Sequence, residues 1–143
     1  MTFLTSAGCS PPSDKSLEDR FVENRESFFA LINMVKKDNN IFSVHMFSTT
    51  PENALVPERS YEYRKRMVGL GISSLYYDKK NGTITMIVQS GDMSSERKGY
   101  VYSEEELSPL HNSLDDLPRD YMPYVEQYKK IEEKVYIFKV YLI

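Results

Sequence analysis

The one cysteine of this 143-residue chain, Cys9, lies in a run of small residues that suits covalent attachment of a lipid. Ala7 and Gly8 stand directly before it, and small side chains there let processing enzymes reach the backbone and the thiol, as in the signal of a bacterial lipoprotein. Such signals usually carry Leu where this chain has Ser6, so the match is partial. The sequence predicts lipidation at Cys9, and the alternative is an N-terminal tail in which the thiol has no such role.

The residues before Cys9 form only a fragment of an export signal. A working signal needs a basic segment followed by about 7–15 apolar residues, whereas residues 1–8 contain no Lys or Arg. Either the true start lies upstream of Met1, or the sequence keeps the tail of a longer signal. We therefore expect a protein of the bacterial cell envelope, lipid-anchored at a membrane surface. A cytoplasmic protein is the alternative if the chain starts at Met1.

A second group that could do chemistry is His111, which lies among carboxylates that could together bind a cation: Glu104, Glu105, Glu106, Asp115 and Asp116. The ligand spacing of a calcium-binding loop is missing, so a hydrated acidic loop is the simpler interpretation. With two histidines and one cysteine in the chain, the usual ligand set of zinc is also lacking. The sequence therefore predicts no metal and no cofactor.

A catalytic serine needs a base and an orienting acid that converge on it. The nearest approach to such a set is four residues that are neighbours in sequence: Ser108, His111, Ser113 and Asp115. Adjacency within one loop does not make a triad, so we predict no catalytic residue. The basic run Arg64-Lys65-Arg66 could contact anionic lipid or an acidic partner, although such runs are more often the hydrated side of a helix.

The composition is that of one soluble globular domain. Hydrophobic residues make up 41% of the chain and charged residues 27%. The net charge is −3, and positive and negative side chains are interspersed, which argues against nucleic-acid binding. Residues 1–13 carry no charged side chain, and we expect residues 1–14 to be a signal remnant and tether. Residues 15–143 should form a single α+β domain.

Apolar residues spaced three to four positions apart predict one amphipathic helix from Ser16 to Lys37. Ser16 and Asp19 are predicted to form a capping box at its start. A second helix should begin at Pro57 and end at Gly71. Strands are predicted at residues 41–47, where Phe42 should share a face with Val44, and at 73–77, 83–90, 98–103 and 135–143. The Asn81-Gly82 pair predicts a hairpin turn.

The remaining segments are less regular. Residues 104–123 should form a long ordered loop whose middle is held by burial of Pro109 and Leu110. Tyr124 to Glu133 fits either a helix or a strand, and we favour a strand that turns at Glu132-Glu133 into the last strand. The predicted fold is α+β: two helices from the N-terminal half, packed on a mostly antiparallel sheet of about five to six strands.

The order of these elements, with Lys98-Gly99-Tyr100-Val101-Tyr102-Ser103, then Ser108-Pro109-Leu110, then Asn112-Ser113-Leu114-Asp115, resembles a family of small, uncharacterised bacterial lipoproteins. The resemblance implies a lipidated cysteine, a short linker and an α+β domain that ends in two strands about a tight turn. This chain departs from the pattern at that turn, where Glu132-Glu133 replaces Gly or Asn, and in lacking a Trp after it. The resemblance implies no activity, cofactor or catalytic residue.

Two functions remain open at this point. The first is a non-catalytic, membrane-tethered envelope domain that binds a protein or envelope component, with strand tyrosines as a possible contact face. The second is a small enzyme with its site in the region from Ser90 to Asp116, the longest polar, loop-like stretch. A concave pocket that gathers these polar groups would favour the enzyme, and a flat binding face would favour the first.

Overall fold

The computed structural model describes residues 12–88, 96–118 and 121–142 and has the predicted α+β fold. Its helices are α1 (Asp14–Glu23), α2 (Arg25–Lys37) and α3 (Pro57–Leu70). Its strands are β1 (Ser43–His45), β2 (Thr49–Thr50), β3 (Ile72–Asp78), β4 (Thr83–Val88), β5 (Glu96–Ser103), β6 (Gln127–Glu132) and β7 (Val135–Tyr141). The described sheet thus has seven strands: β1 is a short strand within the range predicted at residues 41–47, and β2 is an additional strand in the segment after it.

The strands form one sheet in the order β2-β1-β3-β4-β5-β7-β6, and all neighbours pair antiparallel. The hairpin of β3 and β4 turns at Gly82, which has the positive φ of 68° that its sequence predicts. Tyr124 to Glu133 does contain a strand, β6, which turns through Glu133 and Lys134 into β7. Residues 89, 90 and 143 of the predicted strands lie outside the described residues.

The single N-terminal helix that the sequence predicts is in fact two helices. α1 begins after Ser13, whose Oγ accepts a hydrogen bond from the Ser16 amide at 3.0 Å, so Ser16 is not the cap. It ends at Asn24, whose side-chain amide donates to the Arg20 carbonyl at 2.9 Å and satisfies a carbonyl of the last turn. The expected boundary after Asp14 falls inside α1, because Asp14 is its first residue.

The helices cover one face of the sheet. Tyr100 of β5 lies in the centre of this layer, with its ring 4.7 Å from that of Phe28 and 6.4 Å from that of Phe21. Its buried hydroxyl donates to the Leu17 carbonyl at 2.7 Å. The next residue, Val101, faces the opposite side, where it joins a second apolar cluster with Tyr136, Phe138 and Val140. β5 is therefore buried on both faces, and its periodicity gives little sign of which face is which.

The segment from residue 104 to 118 wraps around the β6 edge of the sheet. Leu107 packs against the apolar cluster on the face without helices, Leu110 forms an isolated parallel bridge with Tyr128 of β6, and Leu114 is buried on the helix face. The expectation that Pro109 and Leu110 are buried is wrong: Pro109 is exposed and half of the Leu110 surface is exposed, whereas Leu114 is completely buried. The reason is that Leu110 lies outside the edge strand, where its backbone rather than its side chain makes the contact.

Phe42 is a second correction, because it is 57% exposed rather than packed beside Val44. It lies just before β1, so the strand alternation does not extend to it. Its ring meets Tyr76 edge-on at 6.5 Å, on the face that Ser43 shares with Tyr76. Within the described ranges, no helix combines the length and the apolar content that crossing a bilayer requires.

Candidate functional site

A buried lysine is the most unusual polar group of the described fold. Lys98 lies in β5 with only 3% of its side chain exposed, although lysines are almost never buried unless they are paired. Side chains two residues apart in a strand point to the same face of the sheet. Lys98 therefore shares with Tyr100 the face that the helices cover. Across the sheet it pairs with Lys139 of β7, which in turn pairs with Gln127 of β6. Three polar residues therefore form one row under α1.

Two carboxylates meet the Lys98 ammonium from different parts of the chain. Asp14, in the first turn of α1, places Oδ1 2.8 Å from Lys98 Nζ, and Asp115 of the edge loop accepts a hydrogen bond from Nζ at 2.7 Å. The two acids are also joined directly, since the Asp14 amide donates to Asp115 Oδ2 at 2.9 Å. We call Lys98, Asp14 and Asp115 the Lys98 cluster.

The second carboxylate oxygen of Asp14 is used as well. Asp14 Oδ2 accepts hydrogen bonds from the Leu114 amide at 2.7 Å and from the Asp115 amide at 3.3 Å. Burial alone would raise the pKa of Asp14, but the Lys98 ammonium and these two amides outweigh it and hold the pKa below its ordinary value. Asp14 is therefore an ionised carboxylate with both oxygens engaged, which is the state of a structural contact rather than of a general base.

The surroundings of the Lys98 cluster are also filled. Lys139 donates to the Leu114 carbonyl at 3.3 Å, and Gln127 Oε1 lies 2.7 Å from His111 Nε2. A cavity of about 10 Å³ borders Gln127 and Lys139, which is the size of one water molecule. The arrangement joins the start of α1 to the edge loop, and the described cavity beside Gln127 and Lys139 is too small for an organic substrate.

Three of the five acids that the sequence places around His111 form ion pairs with lysines. Glu104 lies 3.1 Å from Lys36 Nζ and 2.9 Å from Lys134 Nζ, and it accepts a hydrogen bond from the Tyr102 hydroxyl at 2.6 Å. The Tyr102 hydroxyl and the two ammonium groups lower the pKa of Glu104 to about 2. Within residues 12–88, 96–118 and 121–142, no group of three or more His, Cys, Asp or Glu side chains could hold a metal ion.

Two further acids of the edge loop are also paired with lysines. Glu106 pairs with Lys130 at 3.0 Å, and Asp115 pairs with Lys98. Ser113 accepts a hydrogen bond from the Asp116 amide at 3.3 Å, while His111 turns toward Gln127 and the ring of Tyr121. These contacts do not bring Ser108 or Ser113 to His111 as a catalytic set.

The other sequence-predicted surfaces are partly internal. Arg64 donates to the His45 carbonyl at 3.0 Å and to Thr49 Oγ1 at 3.3 Å, and thereby holds α3 to the β1–β2 edge. Arg66 lies 3.8 Å from Glu62. Among the tyrosines predicted in strands, three are buried, namely Tyr100, Tyr102 and Tyr136, and three are partly exposed, namely Tyr76, Tyr77 and Tyr141. Cys9 and the segment 89–95, which includes Ser90, lie outside the described residues.

Sequence reasoning missed Lys98, Asp14 and Gln127. One signal for Lys98 was available: in the predicted strand it lies on the same face as Tyr100 and Tyr102, so burial of those tyrosines brings Lys98 toward the core layer as well. Asp14 is the first acid of the chain and lies where a helix begins, a position that favours carboxylates. For Gln127 we find no sequence signal, because its place depends on the fold of the edge loop.

An apolar surface precedes β6. Tyr121, Met122, Tyr124 and Val125, which we call the Met122 surface, are exposed by 40%, 53%, 63% and 41%. Met122 and Tyr124 have positive φ angles of 45° and 68°, which are uncommon for bulky residues and are retained mainly where the surrounding structure enforces them. The Tyr124 amide donates to the Tyr141 carbonyl at 2.8 Å, so this segment is joined to the end of β7.

Comparison of the chain with protein-family models, with curated proteins and with solved structures finds no match. The resemblance to small bacterial lipoproteins therefore stays a prediction.

Proposed function

We propose that this chain is a non-catalytic domain of the bacterial cell envelope, tethered to a membrane by a lipid on Cys9, and that it binds a protein or another envelope component. The observation that carries this proposal is the contrast between two sets of side chains. Three acids that the sequence singles out, Glu104, Glu106 and Asp115, are paired with lysines, whereas the apolar Met122 surface is exposed. Exposed apolar residues that are contiguous, as in residues 121–125, are typical of contact surfaces, whereas single ones are ordinary.

The alternative of a small enzyme with a site from Ser90 to Asp116 has less support. In the described part of that region, Glu104 and Glu106 pair with lysines, and Asp115 is bound to Lys98. A general acid or base needs a proton position that a substrate can reach, and Asp14 and Lys98 are both almost fully buried. We therefore favour binding over catalysis.

The start of α1 suits a tethered domain. Asp14 is held by Lys98 and by the edge loop, so a pull on the preceding chain is carried into the sheet rather than into a helix end. Ser13 caps the helix and is exposed, which leaves a path for the chain toward solvent.

Cell fractionation tests the tether. The gene is expressed from its native locus, and the wild type is compared with Cys9→Ser and with Ser10→Ala, a matched control that keeps the cysteine. We expect the wild type and Ser10→Ala in the membrane fraction with a lipid-sized increase in mass, and Cys9→Ser in the soluble fraction. A wild type that is soluble, or that has an unmodified mass, would show that the assigned location is wrong.

A further inference from the structure

We propose that the Met122 surface lies on the lipid bilayer, so that the domain is held against the membrane in one orientation rather than hanging from its tether. This inference rests on the proposed function, because it takes the membrane as the place where the chain is anchored. The Met122 surface contacts the bilayer at the boundary between lipid headgroups and acyl chains.

The first argument is the position of the tether. Asp14 contacts Lys98, near the end of the sheet where Glu96 of β5 pairs with Tyr141 of β7. The Met122 surface is joined to the same end, because the Tyr124 amide donates to the Tyr141 carbonyl. The chain that leads back to Cys9 thus leaves the domain at the end of the sheet that carries the Met122 surface.

The second argument is the length of that chain. Cys9 precedes Asp14 by five residues, and five fully extended residues span at most about 17 Å. A lipid on Cys9 therefore keeps the start of α1 within a short distance of the bilayer. The side of the domain near Asp14, and not the β1–β2 edge at the far side of the sheet, must face the membrane.

The third argument is the chemistry of the exposed side chains. Residues 121–125 read Tyr-Met-Pro-Tyr-Val and include no charged side chain. Tyrosine is enriched at membrane interfaces, since its ring enters the apolar region while its hydroxyl stays among the headgroups. Methionine and valine can bury apolar surface at the same depth. Acidic groups lie nearby, such as Glu126 and Asp116, so attraction to anionic lipid is not part of the argument.

The fourth argument is the backbone that presents these side chains. The Val125 amide donates to the Met122 carbonyl at 3.1 Å, and the Tyr124 amide is bound to Tyr141. The positive φ angles of Met122 and Tyr124 add to this defined geometry. A surface whose backbone is already set loses little conformational entropy when it docks, which suits a contact made repeatedly with a fluid bilayer.

The composition of the chain allows a direct test. It has one cysteine and no tryptophan, so the full chain can be coupled through Cys9 to a maleimide lipid, and one introduced indole reports its own surroundings. The vesicles are phosphatidylcholine with or without bromine on the upper acyl-chain carbons. The test variant is Met122→Trp. The control is Tyr61→Trp in α3, a site of similar exposure near the opposite edge of the sheet.

Interfacial segments bury about 5–10 Å into the headgroup and acyl boundary, so bromines there should reduce the emission of Met122→Trp at least about twofold, and that of Tyr61→Trp hardly at all. Equal quenching of both variants, or quenching of neither, would overturn the proposal. So would a blue shift of Met122→Trp emission without bromine quenching, which would mean that protein covers this surface. Val125→Trp replaces Met122→Trp if the latter does not fold, as judged by its thermal midpoint.

The chemical coupling separates this result from the proposed function. The maleimide lipid supplies the anchor whether or not cells acylate Cys9, so a lack of acylation in cells would leave the vesicle result unchanged. Conversely, lipidation of the wild type in cells together with an unquenched Met122→Trp on vesicles would retain the tether and refute the docking.

Discussion

Replacing Lys98 with methionine should destabilise the fold far more than replacing a surface lysine. The substitution keeps an unbranched side chain but removes the ammonium that neutralises Asp14. Asp115 can be hydrated, because 44% of its side chain is exposed, whereas Asp14 is only 6% exposed and cannot. Removal of one partner from a buried ion pair costs about 3–5 kcal/mol, because the remaining charge stays buried.

The expected loss can be measured by urea or thermal unfolding of the full chain. At this chain length a loss of 1 kcal/mol lowers the melting temperature by about 3–4 °C, so Lys98→Met should melt about 10–20 °C below the wild type. The matched control is Lys129→Met, which removes an ion pair with Glu18 in which both side chains are partly exposed. That pair should contribute no more than about 1 kcal/mol.

A double variant tests whether the cost comes from Asp14. In Lys98→Met with Asp14→Asn the buried charge is gone, and the asparagine oxygen can still accept from the amides of Leu114 and Asp115. The double variant should therefore lose less stability than the sum of the two single variants. If the losses are additive, or if Lys98→Met alone costs less than about 1 kcal/mol, the Lys98 cluster does not have the energetic role assigned to it here.

The pH dependence gives an independent check with a definite sign. The pKa of Asp14 is lowered in the folded state, so its contribution is present above the ordinary value of 3.8 and is lost as the pH falls through the folded value. In Lys98→Met the pKa of Asp14 is lowered less, because the ammonium is gone. Acidification therefore reduces the free energy of unfolding of the variant less than that of the wild type. The difference in stability between the two proteins should shrink from pH 7 toward about pH 3. A constant or growing difference would contradict the assignment.

Two further predictions concern packing. Gly99→Ala should prevent stable folding or lower the melting temperature severely, because a Cβ there would lie 2.0 Å from the Met86 carbonyl oxygen. Thermal unfolding followed by circular dichroism measures this, and a near-wild-type melting curve would contradict it. Leu114→Ala should lower the free energy of unfolding by about 2–5 kcal/mol, as is usual for a buried leucine. Leu110→Ala, at a half-exposed position, should lower it by less than half as much. Equal losses of stability in urea unfolding would show that the two leucines do not differ as described.

The parts of the fold that the sequence predicted well are those with local chemical signals. Asn81-Gly82 marks a hairpin because the glycine takes a positive φ without strain, and Gly71 ends α3 with a φ of 73°. Pro57 begins α3 for a similarly local reason, since a first-turn residue has no need of an amide donor. In each case the residues that determine the structure lie within a few positions of one another.

The parts that the sequence did not predict depend on distant contacts. Asp14 and Asp115 are hydrogen-bonded although they are 101 residues apart, and neither has a neighbour in sequence that indicates this contact. The break at Asn24 is similar in kind, because the apolar spacing continues from Phe21 to Phe28 as if one helix ran through it. Of the candidate site, strand alternation indicates only that Lys98 shares a face with Tyr100, whereas the positions of Gln127 and Met122 depend on loop geometry.

The Lys98 cluster and the Met122 surface are physically connected. The Lys98 cluster joins the start of α1 to residues 114 and 115 of the edge loop, and Leu117 and Pro118 of that loop line the same small cavity as Tyr121. A buried ion pair adds less to net stability than apolar packing of the same volume, but it tolerates few alternative geometries. The charged cluster therefore suits the proposed tethered orientation, in which the start of α1 and the Met122 surface keep one relative position.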